Sequence, residues 1–167
     1  MNPRLRWRPM RPLDLPGVVA LAQAEHPTLP ERHEVFAERL ELCARGCKVL
    51  KISGRLSGYL VSHPWVPRDA PELDTLIGAL PSPAPVRYIH DLVVAPVHRG
   101  VGLASEAVWQ IIDDARAENA VALSLVALGG TAPFWAKHGF AQAFGAGLSR
   151  KIAGYGAGAA FMERRPA

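Results

Sequence analysis

Apolar side chains along the chain follow two rhythms, every second residue in short runs and roughly every 3.6 residues in longer ones. Over 4–10, Leu5 and Trp7 alternate with arginines, which predicts a half-exposed first strand. Over 12–24, Leu15, Val18, Val19 and Ala22 keep helical spacing, with Asp14 placed as a cap and His26-Pro27 as a breaker. A second helix is expected over 31–45, where Phe36, Leu40 and Cys43 share a face and Gly46 acts as the stop. Short β-like runs over 48–52 and 56–61 flank Ser53-Gly54-Arg55, a hairpin turn.

The second half is more strongly patterned. A buried-type strand is expected over 86–94, followed by a turn over 95–101. In the helix over 102–119, Ala104, Ala107, Val108, Ile111, Ile112 and Ala115 share one face, and Glu106, Asp113, Asp114 and Arg116 lie off it. An apolar strand over 121–128 and a short helix over 132–138 come next. Lys137 and His138 suit the negative end of that helix, and Gly139 suits its stop. Closing strands over 140–144 and 159–163 flank a glycine-rich stretch over 145–158. Between the halves, residues 63–85 carry six prolines (Pro64, Pro67, Pro71, Pro81, Pro83, Pro85), and only 72–80 is compatible with a helix. A connection this long inside a domain is usually functional or mobile, and one use is to cover an acceptor pocket.

Length and composition narrow the classes. The 167 residues suit one domain over 1–167, with 49% apolar and 20% charged residues as in ordinary globular proteins. No run of 18 apolar residues occurs, so no membrane partner is expected. The start is basic, but no apolar stretch follows as in a secretory leader, so the expected location is cytoplasmic. Net charge is +4, with Arg4, Arg6, Arg8 and Arg11 near the start and the rest scattered. There is no basic stripe with interleaved aromatics, which argues against nucleic acid. A mild positive potential favours an anionic ligand. Cys43 and Cys47 lack a disulfide framework or zinc spacing, so reduced, buried thiols and no metal are expected, with Cys47 opening a strand.

The chemistry concentrates where the strand over 86–94 passes through Arg99-Gly100-Val101-Gly102 into the long helix. A helix N-terminus presents unpaired N–H groups and a positive dipole end, which suits an anion. Gly100 and Gly102 allow close backbone approach, Ala104 keeps the first turn slim, and Arg99 either fixes the loop or meets a phosphate. No Lys-Ser or Lys-Thr follows the glycines, so this is not a Walker A loop. Ser105 stands where the dinucleotide fingerprint has its third glycine, and the strand over 121–128 ends without the acidic residue that would hold a ribose. The plainer alternative is that the glycines only turn the chain.

Arg99-Gly100-Val101-Gly102-Leu103-Ala104 resembles the Arg/Gln-x-x-Gly-x-Gly/Ala signature of the GNAT N-acetyltransferase superfamily. Pro133-Phe134-Trp135-Ala136-Lys137-His138-Gly139-Phe140 is similar to its second conserved block, and Tyr88-Ile89-His90-Asp91-Leu92-Val93-Val94 to a strand of the aralkylamine N-acetyltransferases with a histidine at the His90 position. The likeness is specific over 88–140 and elsewhere rests on element order. It implies an α/β (α+β) fold, with a mixed central sheet of about six or seven strands, about four flanking helices, and a splay between the fourth and fifth strands. It also implies acetyl-coenzyme A as acyl donor, no metal, pyrophosphate on the amides of Gly100 to Ser105, and pantetheine along Leu92, Val93 and Val94. Phe134 and Trp135 complete the implied cofactor contacts.

Attack by an amine needs a base, and His90, with an ordinary pKa near 6.5, is the candidate. Strand alternation would put Tyr88, His90, Leu92 and Val94 on one face and Asp91 on the other. The alternative is a satisfied histidine beneath the cleft. Many relatives carry Tyr where this chain has Trp135, and Gly129-Gly130-Thr131 stands where they often have Asn. Trp135 then either packs on pantetheine or fills the core, and Tyr88, Tyr155 or water is left to act as acid. The leading reading is acetyl transfer to a primary amine of a small molecule or peptide. The alternatives are a non-catalytic acyl-coenzyme-A sensor and a protein acetyltransferase. The glycine-rich, apolar tail suits a homodimer contact.

Overall fold

The computed structural model describes residues 7–167. Leu5, and Arg4 and Arg6 of the basic start, lie outside them. Strand β1 (Trp7–Pro9) leads through a short 3-10 turn into α1 (Leu15–Glu25) and α2 (His33–Leu42), then β2 (Cys47–Ile52), β3 (Arg55–Trp65) and β4 (Val86–Val94). The chain continues as α3 (Leu103–Ala117), β5 (Ala122–Ala127), α4 (Ala132–Lys137), β6 (Ala141–Gln142), α5 (Leu148–Ile152) and β7 (Ala160–Arg164). The strands form one seven-stranded sheet in the order β1-β2-β3-β4-β5-β7-β6. Among the described residues only β4 and β5 pair in parallel, joined by the α3 crossover that parallel strands require. Among the described residues no helix is long and apolar enough to cross a membrane.

The two larger apolar cores among the described residues lie on opposite faces of the sheet. Val18 and Ala22 of α1, Phe36 and Leu40 of α2, and Val49, Tyr59, Val61 and Val93 of the sheet form one. Ala107, Val108, Ile111 and Ile112 of α3 pack with Leu50, Leu60, Ile89, Leu123 and Leu125 in the other. Burial on both faces explains why β3 is covered from Ser57 to His63.

Several expectations change once packing is visible. Asp14 precedes α1 but makes no side-chain cap. Its carboxylate accepts from Arg8 at 2.8 Å and from the Arg11 N–H at 2.8 Å, and the Arg8 bond holds it down to about 2. α2 runs over His33–Leu42 rather than 31–45, so Gly46 does not stop it. Gly46 is instead required for space, since a Cβ there would stand 2.0 Å from the Ser62 carbonyl oxygen. Because α2 ends at Leu42, Cys43 is only half-buried, whereas Cys47 opens β2 fully buried and its thiol is pushed up to about 12 by burial.

β3 extends past 61 to Trp65 and includes Pro64. β2 stops pairing with β3 at Val61, so Pro64 meets an open edge where its missing N–H costs no ladder bond. No helix forms over 72–80, and the glycine-rich stretch contains α5. β6 is reduced to two residues.

β4 and β5 pair only from Val86↔Ala122 to Ile89↔Leu125, although β4 continues to Val94. The two strands therefore part after Ile89. A bulge sits at the same point, because Val61 pairs with Asp91 while Ser62 pairs with Ile89, leaving His90 as the extra residue.

Candidate active site

Beyond the parting of β4 and β5 a cavity of about 680 Å³ opens, lined by Leu92, Val93 and Val94, the turn at Arg99, Gly100 and Gly102, and the start of α3. Gly102 caps α3 in the left-handed region at φ 88°, and Gly100 has φ 84°. A Cβ on either would touch no atom of the described residues within 4 Å, so the backbone conformation is what calls for glycine. The first bond closing the helix runs from the Glu106 N–H to the Gly102 carbonyl. The N–H groups of Leu103, Ala104 and Ser105 thus lack intrahelical partners. No side chain among the described residues caps them, and all three residues line the cavity.

The β4 side is equally open. The Ala95 N–H donates to the Ser57 carbonyl, so the antiparallel alternation turns Val93 and Asp91 toward β3 and directs the N–H and C=O of Leu92 and Val94 into the gap. Arg99 Nε donates to the Val94 carbonyl at 2.8 Å, and its terminal nitrogen pairs with Glu25. These contacts anchor the loop, and Arg99 also lines the large cavity.

A smaller cavity of about 90 Å³ adjoins on the α1–α2 side, where His26, Glu31, His90, Asp91 and Tyr155 meet Leu29, Leu73, Ile89 and Trp135. His90 Nε2 donates to Glu31 Oε1 at 2.8 Å, with the side chains 1% and 8% exposed. Burial pushes the Glu31 carboxyl up, but the charge and hydrogen bond of His90, with the Asp74 N–H at 3.0 Å, outweigh it and hold Glu31 below the usual carboxylate range. Because an ionised carboxylate only accepts, His90 carries its proton on Nε2, and its buried Nδ1 has no partner among the described residues.

The bulge overturns the alternation expected from the sequence. Asp91 stands on the same face as His90, while Leu92 and Val94 pack on the α3 side. Asp91 accepts from Tyr59 Oη at 2.5 Å and lies 3.1 Å from His26 Nε2. The hydrogen bond to Asp91 outweighs burial and raises the pKa of His26 above its ordinary value.

Most of the residues singled out from sequence meet here. Leu92, Val93, Val94, Arg99, Gly100, Gly102, Leu103, Ala104, Ser105, Phe134 and Trp135 line the large cavity. Val101 does not, and is 72% exposed. Trp135 fills the α3-side core and also borders both cavities. Tyr155 borders the small cavity, but its hydroxyl donates to the Pro71 carbonyl at 2.5 Å and burial pushes it up to about 12. Tyr88 lines neither cavity. It is fully buried behind Tyr155, with 3.4 Å between the hydroxyls.

Sequence reading missed His26, which looked like a helix breaker, and Glu31, which looked like the start of a helix. Their partners lie 65 and 59 residues away, and no local pattern marks such pairs.

The acetyltransferase (GNAT) family model matches residues 15–140. No curated protein matches the sequence. Among solved structures, a ribosomal-protein-alanine N-acetyltransferase from Brucella melitensis is 20% identical with TM-score 0.69, covering 96% of this chain and 99% of its own. Arabidopsis thaliana Naa50, in complex with the bisubstrate analogue CoA-Ac-MVNAL, is 15% identical with TM-score 0.69, over 95% and 97% of the two chains. The GphF GNAT-like decarboxylase in complex with isobutyryl-CoA is 16% identical with TM-score 0.77, over 97% and 100%.

Proposed function

The chain belongs to the GNAT acetyltransferase family, and from that premise we propose that it moves an acetyl group from acetyl-coenzyme A to a primary amine by direct attack. The observation that carries this is the uncapped start of α3 opening into the same cavity as the free edge of β4. In this reading the amides of Gly100 to Ser105 hold the pyrophosphate, joined by the dipole of a fifteen-residue helix. The N–H groups of Leu92 and Val94 and the Leu92 C=O pair with the pantetheine arm, the Val94 C=O being held by Arg99, and one N–H there stabilises the oxygen that becomes negative as the amine adds. Trp135 and Phe134 line the arm's other side. The large cavity is roomy enough for such a donor, and the coenzyme A thioester or analogue in the Arabidopsis thaliana and GphF complexes supports the choice.

The amine enters the small cavity and loses its proton to His90. Glu31 holds that imidazole with Nδ1 as the acceptor and stabilises the imidazolium that forms, the usual role of a carboxylate behind a catalytic histidine. Because His90 is nearly closed off, the proton reaches it through a water. The small cavity and its roof at Leu73 favour a small amine over a protein chain. The roof is strapped down: Arg32 grips Asp74, and Glu38 accepts the N–H groups of Ile77 and Gly78.

Calorimetry with coenzyme A and acetyl-coenzyme A, followed by a primary-amine panel read by free thiol release, tests the reading. His90→Gln is expected to keep coenzyme A affinity and lose roughly 10²–10⁴-fold in kcat. Binding without transfer to any amine would establish the sensor alternative, and no binding would end both.

A further inference from the structure

The acyl-transfer reading leaves the departing thiolate without a proton donor. Trp135 has no acidic proton of use, Tyr155 already directs its hydroxyl at the Pro71 carbonyl, and Tyr88 lies behind it. Five residues line both cavities: His26, Leu92, Leu128, Thr131 and Trp135. A thioester whose diphosphate lies at α3 and whose carbonyl meets an amine beside His90 has its sulfur where these five stand. Thr131 spends its hydroxyl on the Leu128 carbonyl at 2.8 Å. Only His26 among the five titrates near neutral pH.

We propose that His26, oriented by Asp91 at the mouth shared by the two cavities, protonates the sulfur of the departing coenzyme A. This rests on the acyl-transfer reading. His26 hangs from the end of α1 with its side chain 22% exposed, against 1% for His90. Asp91 accepts from the His26 Nε2–H at 3.1 Å, and no described residue bonds Nδ1, which carries the transferable proton. The Tyr59 hydroxyl on the second Asp91 oxygen and the bulge that turns Asp91 to this face fix the pair.

As the amine nitrogen bonds to the thioester carbon, the carbon–sulfur bond breaks with its electron pair on sulfur. The His26 Nδ1 proton moves to that sulfur, and the proton that His90 takes from the nitrogen passes on through water to restore His26, so that no net proton is gained or lost. The charges around it favour the imidazolium: Asp91 on β4, Glu25 on α1 and Glu31 ahead of α2, against Arg99, which pairs with Glu25, and His90, which pairs with Glu31.

The test is made on the full chain with coenzyme A as the probe, following thiolate absorbance in the ultraviolet as pH is raised. With wild-type protein the bound thiol is expected to ionise at least about one pH unit below its value on His26→Gln, because a cation beside a thiol favours the thiolate. With acetyl-coenzyme A and the fastest amine of the panel, His26→Gln loses roughly 10²–10⁴-fold in kcat at unchanged coenzyme A affinity. Asp91→Asn, which keeps the imidazole, moves both readouts partway and serves if His26→Gln misfolds. Equal thiol ionisation in wild type and His26→Gln overturns the proposal, as does a His26→Gln enzyme at wild-type rate. If no amine reacts but the thiol shift is present, the amine reading fails and the placement of His26 at the sulfur is upheld. Absence of any coenzyme A affinity sinks both.

Discussion

At the scale of single residues, the histidines separate by environment rather than by identity. His26 and His90 each face a carboxylate, whereas His63 is buried between Trp65 and Tyr88 and spends its only proton, on Nδ1, on the Pro64 carbonyl at 2.9 Å. Its Nε2 has no partner among the described residues, and burial pushes its pKa down to about 3. The sign follows directly. As pH falls below about 6.5 the unfolded chain gains a proton on this ring that the folded chain refuses until about 3. Stability from His63 is therefore complete above 6.5 and declines by up to about 1.4 kcal/mol per pH unit through that window. His63→Phe is expected to flatten this part of the curve, measured by urea unfolding at a series of pH values. An unchanged slope would mean that the ring is protonated in the folded protein. That His63 sits in this role was not legible beforehand, because β3 was expected to end at 61 and the ring was assigned to the proline-rich connection.

At the scale of elements, α3 combines two demands that a substitution can separate. Its apolar face is decided by spacing, and Ala107, Val108, Ile111 and Ile112 are fully buried as the pattern requires. Its N-terminus carries no side-chain cap among the described residues, although a cap is worth about 1 kcal/mol to a helix. Ser105→Asp puts a carboxylate in the first turn, where the dipole favours it by about 0.3–1 kcal/mol. The variant should match or exceed wild type in thermal stability while its calorimetric affinity for coenzyme A drops at least about tenfold, the loss expected from facing a diphosphate with a like charge. Unchanged affinity would place the diphosphate elsewhere. The turn was readable from sequence because glycine, strand and helix are adjacent there. The bulge at His90 was not, since it arises from the register against β3 and leaves no mark in the apolar pattern.

At the scale of the molecule, the segment over 66–85 ties the two halves together. Glu38 holds it through Ile77 and Gly78 and also neutralises Arg39, which is wholly buried and reaches the Thr75 carbonyl at 3.1 Å. Glu38→Ala leaves that guanidinium uncompensated, so a loss of about 3–5 kcal/mol in urea unfolding is expected. Because Leu73 of this segment roofs the small cavity, the amine KM should rise while coenzyme A affinity holds. Equal changes in both would mean that the damage is general rather than confined to the roof. The sequence by itself determined the strand and helix order as far as α4, the long amphipathic helix and the glycine turn before it, because each depends on neighbours within a few residues. Only the tertiary structure decided which carboxylate serves which histidine, that Asp91 shares a face with His90, and that Tyr155 donates inward. Those outcomes depend on register and on contacts between distant segments, and burial sets their energies only after the layers have closed.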